Sequence, residues 1–117
     1  MGLPIYDKGF TQEEIEFGFE KFVDGVNELV ADHYQTNFPT LDPEHITVAP
    51  GRVYWKLVKA TATGASRSVY GFVRKADGAI LKAATWAAPA TNHARGFVTD
   101  TDHGLHCAGE YGIAYMS

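Results

Sequence analysis

The apolar residues Ile15, Phe19, Phe22, Val23, Val26, Leu29 and Val30 recur at helical intervals. That spacing lines one face of an α-helix and cannot line one face of a strand. Thr11 and Glu14 stand just before the pattern as a capping-box pair, each side chain able to bond the other's backbone amide. Glu13, Glu14 and Glu16 follow in the early turns, where carboxylates favour the positive end of the helix dipole. Glu20, Asp24, Glu28 and Asp32 form an acidic row four residues apart. The spacing predicts a helix from about Thr11 to about His33. Gly18 and Gly25 each weaken it by ~1 kcal/mol relative to alanine. Burying the apolar stripe, at ~1.5–3 kcal/mol per side chain, more than offsets that.

A helix with a single apolar stripe must lay it against another layer. The rest of the chain supplies strands. Pro39 and Pro43 make residues 36–43 a connector. Ile46–Val48, Val53–Thr61, Arg67–Lys75 and Ile80–Trp86 read as strands, with turns at Pro50-Gly51 and Asp77-Gly78 and a loop between residues 61 and 66. Pro89 ends a strand or marks a sheet edge. Gly112–Met116 suits a short closing strand, and residues 90–110 show no clear period. The expected fold is α+β: one long N-terminal amphipathic helix packed on a four- or five-stranded antiparallel sheet. The 117 residues are expected to form a single domain, 1–117.

Composition removes several classes. Hydrophobic residues at 45% and charged residues at 21% are those of a globular chain, not a disordered or fibrous one. Cys107 is the only cysteine, so no intrachain disulfide forms. No apolar run reaches the ~18 residues of a membrane span. The first residues lack the charged and apolar regions of a secretory signal and the Ser or Thr of a myristoylation signal. A soluble, cytoplasmic protein without a membrane partner is expected.

Charge is divided along the chain. Residues 1–50 hold ten acids and two bases, residues 51–97 eight bases and one acid, and residues 98–117 three acids and no base. A basic segment of this kind offers a face to an anionic partner, unless the acidic segment packs against it. Alternation sorts its strands. Val53, Trp55 and Leu57 share one side; Tyr54 and Lys56 share the other, and Tyr70, Phe72 and Arg74 form the matching set on the next strand. Aromatic rings with cations on a sheet are how single-stranded nucleic acid is held, rings stacking on bases and cations meeting phosphates. Arg52, Tyr54, Lys56, Tyr70, Phe72 and Arg74 are the candidate ligand-binding residues. Arg95, before Gly96, is a further guanidinium for a phosphate or carboxylate. The same residues suit a protein interface, either with a host protein or in a homo-oligomer.

The other candidate cluster is His103, His106 and Cys107. Two imidazoles and a thiol close in sequence are groups that zinc accepts, and a thiol beside an imidazole is a nucleophile with its base. The spacing matches no finger, and Asp102-His103-Gly104 reads equally well as a turn. The small residues around Trp86 suggest a tight strand exit. No phosphate loop, dinucleotide fingerprint, nucleophile elbow or metalloprotease motif occurs. No metal, cofactor or catalytic residue is assigned, and a non-enzymatic binding protein is expected.

The order Lys82-Ala-Ala-Thr-Trp86-Ala-Ala-Pro89-Ala, then Ala94-Arg95-Gly96, then Thr99-Asp-Thr-Asp-His-Gly104 and a terminal Tyr-Gly-Ile-Ala-Tyr, resembles small uncharacterised proteins of tailed bacteriophages. The strand Ser-Arg-Ser-Val-Tyr-Gly-Phe-Val is similar to them as well. The likeness covers residues 53–117 and departs at Ala87, where a lysine often follows the tryptophan. It implies a viral origin and a host-cell cytoplasmic setting, and no activity. The chain is therefore expected to be a homo-oligomeric binder of nucleic acid or a nucleotide, or alternatively a virion component or an inhibitor of a host protein.

Overall fold

The computed structural model describes residues 10–64, 67–91, 93–109 and 112–113. Helix α1 runs from Gln12 to Asn37. Thr11 caps it: the Glu14 amide donates to Thr11 Oγ1 at 3.1 Å, and the Thr11 amide donates to Glu14 Oε1 at 2.8 Å. The helix extends past His33. Its last turn is closed by the Phe38 amide on the Tyr34 carbonyl at 2.8 Å and by Asn37 Nδ2 on the His33 carbonyl at 3.0 Å. It ends where Pro39 restricts the backbone of the residue before it.

Strands β1 (Glu44–Pro50), β2 (Tyr54–Thr61), β3 (Arg67–Arg74), β4 (Ala79–Leu81) and β5 (Gly96–Phe97) form one antiparallel sheet in that order. With α1 on one face, this is the expected α+β architecture. The β3–β4 turn uses Gly78 at φ 76°, the left-handed region open to glycine. Arg74 grips Asp77 across that turn with two bonds of 3.0 and 2.9 Å, and Asp77 Oδ1 also accepts the Ala79 amide.

Three features depart from the sequence reading. First, β4 stops at Leu81, not Trp86. Thr85 Oγ1 accepts the amides of Ala87 and Ala88 at 3.2 and 3.1 Å, which bends residues 83–89 into a turn. Ala83 bridges Pro89 across its base. Second, the sheet closes with Gly96–Phe97. Gly112 and Ile113 do not extend it; Ile113 makes an isolated bridge to Ala108, and residues 114–116 of the expected strand lie outside the described residues. Third, the β2–β3 register shifts: Leu57 faces Gly71 but Val58 faces Val69, so Tyr70 is the extra residue of a bulge.

The core lies between α1 and one sheet face. Phe22, Val26 and Val30 are fully buried among Leu57, Val73 and Ile80, and the Phe19 ring stacks on Trp55 at 4.1 Å and 11°. Val98, Leu105, Cys107, Ala108 and Ile113 share this side. A Cβ on Gly18 would strike the Val98 carbonyl, and one on Gly25 would meet the Leu105 side chain at 2.6 Å. The two glycines that weaken the helix are thus where the C-terminal segment comes closest to it. Their neighbours lie far away in sequence, so helical periodicity carries no trace of them.

Two outcomes test this packing. Gly18→Ala is expected to destabilise by about 1–3 kcal/mol, because the new methyl overpacks against backbone. Helix propensity alone gives the opposite sign, by ~1 kcal/mol. Gly25→Ala, which meets only a movable side chain, is expected to cost less; urea unfolding of both variants decides. The second concerns Asp77. Burial alone would raise its carboxyl, but the bonds from Arg74 and the Ala79 amide overcome this and hold it below the usual carboxylate range. A carboxyl depressed in the folded state stabilises above its unfolded pKa, roughly 4, and that contribution fades as pH falls through the folded value. The stability gap between the parent and Asp77→Asn is expected to be constant near neutrality and to shrink in acid. A gap that widens in acid would be inconsistent with the Arg74 grip.

Candidate binding face of the sheet

The sheet face turned away from α1 carries Lys56, Arg67 and Arg74. Tyr54 pairs with Arg74, Lys56 with Phe72 and Ala60 with Arg67, and partners across an antiparallel ladder share a face. Phe72 is buried and supports the Tyr54 ring, which meets it edge-on at 6.0 Å. The turn at residues 83–89 brings Trp86 over this face. Lys56 Nζ lies 3.8 Å from the centre of the indole and Arg67 Cζ 5.4 Å. Trp86 itself remains 47% exposed. A cation over an exposed indole gains about 0.5–1 kcal/mol, enough to order both side chains without locking them. Beside them a groove of about 220 Å³ is lined by Arg52, Tyr54, Lys56, Phe72 and Ala87 among others.

Of the seven residues proposed from sequence, the structure brings Arg52, Tyr54, Lys56 and Phe72 to this groove. Arg74 is on the same face, but its charge is matched by Asp77. Arg95 stands apart, beyond β4, with its amide on the Ile80 carbonyl at 2.7 Å. Tyr70 is placed differently from the alternation. The bulge sends its ring into the helix-side core, 2% exposed, where its hydroxyl donates to the Gly109 carbonyl at 2.6 Å. Alternation missed two residues, Trp86 and Arg67. The readable signal for Trp86 was Thr85 before a run of small residues, a turn-former; the turn carries the ring over Lys56 of β2 and Arg67 of β3.

The acidic segment does not neutralise this face. The row Glu20, Asp24, Glu28 and Asp32 is exposed on α1, across the sheet, and among the described residues none of the four pairs with a sheet base. The basic count is nevertheless reduced. Lys59 is 6% exposed on the helix side, 3.8 Å from Glu44, which also accepts the Tyr34 hydroxyl at 2.7 Å. Lys82 Nζ donates to the Ile113 carbonyl at 3.0 Å. Arg52, Lys56 and Arg67 are the cations that remain around the groove and Trp86.

His103 stands apart from His106 and Cys107, whose imidazole and thiol both lie against Gly96. The His103 ring meets Phe17 edge-on at 5.9 Å, at a backbone φ of 57° that forms a turn with Gly104. His106 Nδ1 bonds Asp102 at 3.0 Å. Cys107 is buried, and its thiol donates to the Gly104 carbonyl at 3.1 Å. Burial, together with the charges of Asp102 and Asp100, pushes the thiol up to about 11. It is therefore protonated near neutrality and is not a poised nucleophile. Donor atoms of Asp100, Asp102 and His106 come within 4.8 Å of one another. Their carboxylates already serve the loop, accepting the amides of Phe97, Gly104 and His106.

Among the described residues no helix is long and apolar enough to cross a membrane. Comparison with curated proteins and with solved structures finds no match. A family model matches residues 11–115, which takes in the helix, all five strands and the C-terminal segment. The chain belongs to that family, a family of unknown function designated DUF7717.

Proposed function

We propose that this protein is a small non-enzymatic binding protein for an anionic ligand, single-stranded nucleic acid or a nucleotide, held on the open face of the sheet. The observation that carries the reading is the gathering of Lys56 and Arg67 around the exposed Trp86 ring, beside the groove at Arg52 and Tyr54. A base stacks on the indole, and phosphates take the three cations. The exchange is cheap for Lys56 and Arg67, because a phosphate replaces one weak contact of each with the ring while the base takes their place on it. Confinement of the acidic row to the other side of the sheet lets an anion approach without repulsion from it. The viral, host-cytoplasmic setting implied by the phage resemblance is part of this proposal.

A second reading is favoured by Val53, which is 53% exposed and lines the same groove. Tryptophan, tyrosine and arginine beside an apolar rim also make a protein interface, with a host protein, a virion component or another copy of the chain.

Fluorescence anisotropy with labelled oligothymidylate across a salt series separates the two. Binding is expected at low salt, with affinity falling on a log–log slope of about −0.7 per phosphate contacted. Trp86→Ala is expected to cost about 1–3 kcal/mol if one base stacks there. Lys56→Glu and Arg67→Glu are expected to flatten the salt slope. Absence of binding at low salt would reject the nucleic-acid reading, and a native mass that falls on Trp86→Ala would transfer the face to protein assembly.

A further inference from the structure

The outer edge of β1 is only partly closed. α1 runs antiparallel to β1, touching it from Phe19 near Val48 to Tyr34 at Glu44. Midway, Asn27 closes the edge at one residue: the Ile46 amide donates to Asn27 Oδ1 at 2.7 Å, and Asn27 Nδ2 reaches the Ile46 carbonyl at 3.4 Å. A carboxamide there imitates the backbone of a neighbouring strand. Because the backbone groups of Ile46 point away from β2, those of Val48 do too, since orientation repeats every second residue along an antiparallel strand. Among the described residues no hydrogen bond satisfies the Val48 amide or carbonyl. Pro50, next in the same orientation, has no N–H. Between Asn27 and Pro50 the edge therefore has one open donor–acceptor pair, at Val48.

Beside that pair lie two adjoining grooves, of about 240 and 390 Å³, which share Phe19, Glu20 and Val48. Val23 and Trp55 extend the apolar floor, and Asp24 stands with Glu20 on the rim. Neither carboxylate is in an ion pair among the described residues. Lys75, 5.5 Å from the Trp55 ring centre, is the one base, at the far end.

We infer that this edge binds a partner's extended peptide segment, an apolar residue flanked by lysine or arginine, by strand addition at Val48. The backbone pair supplies register, the groove takes the apolar side chain, and Glu20 and Asp24 take the cations. Charge complementarity selects this occupant over a second copy of the chain. A two-fold pairing of β1 edges would bring Glu20 and Asp24 of both copies together, and like charges across an interface are repelled. The inference concerns the opposite side of the sheet from Trp86 and stands independently of the ligand proposed there.

The test uses the full chain and a fluorescein-labelled peptide, Lys-Thr-Val-Thr-Lys, whose lysines share the valine's face, with Glu-Thr-Val-Thr-Glu as its control. The basic peptide is expected to bind saturably at low salt and the acidic one not to bind. Reversal of the two exposed rim charges, Glu20→Lys with Asp24→Lys, is expected to weaken binding about tenfold or more. Amide exchange at Val48 is expected to slow in the complex. Lack of saturable binding by the basic peptide would overturn the inference, as would binding that survives the charge reversal or leaves the Val48 amide unprotected. A homodimer whose formation slows exchange at Val48 would overturn it too, assigning the edge to a second copy.

Discussion

The Tyr70 side chain leaves the sheet on the helix side, and its hydroxyl ends 2.6 Å from the Gly109 carbonyl. Residue alternation alone would aim that ring at the opposite face. The bulge between Leu57 and Val58 re-aims it, placing a large ring with a polar tip in the core beside Cys107 and Ile113. A buried hydroxyl left without a partner costs about 1–3 kcal/mol, so the bond to Gly109 is a condition of the ring's burial. Burial, reinforced by Cys107, raises the phenol's pKa and keeps it a donor. The tie is reciprocal: it holds Gly109, beside Cys107 and Ala108, on the face that α1 only partly covers.

Much of the architecture follows from that closure. With the C-terminal segment drawn beneath the sheet, Val98 and Leu105 meet α1, and only glycine at 18 and 25 leaves room for them. The helix-side core is then complete without any contribution from the other sheet face. Phe72 and Leu81, paired across β3 and β4, are buried on that second side as well, near the turn that carries Trp86. The sheet thus separates two surfaces of different chemistry. One bears the acidic row of α1 and the groove along β1. The other bears Lys56 and Arg67 around an indole, with Arg52 in the groove beside them.

What was legible in the sequence was what local chemistry decides. Thr11 and Glu14 announce the helix start because both bonds of the cap lie within one turn. Tyr54, Lys56, Phe72 and Arg74 share a face as alternation requires, since no irregularity falls between them. Tyr70 did not follow, although Gly71 in a strand interior is a recognised mark of a bulge. The end of β4 was hidden because Lys82, Ala83 and Ala84 show no alternation that would mark it, and the Thr85 hydroxyl decides it. Trp86 and Arg67 could not be joined from sequence, since their contact depends on that turn and on the shifted register together. The withdrawal of Lys59 from the free basic charge also needs a tertiary partner, Glu44, that composition does not assign, whereas Arg74 is matched locally by Asp77, three residues on.

The central claim is the separation of charge by the sheet, with Trp86 on the basic side. Collisional quenching tests it in a Trp55→Phe variant, where Trp86 is the sole tryptophan and the stack on Phe19 is retained by the new ring. Iodide is drawn to cations and caesium repelled by them. Iodide should therefore quench Trp86 more strongly than caesium at low ionic strength, relative to free tryptophan, and the difference should fade as salt screens Lys56 and Arg67. Equal quenching by the two ions on that scale would contradict the account, and stronger quenching by caesium would in addition place acidic groups around the indole.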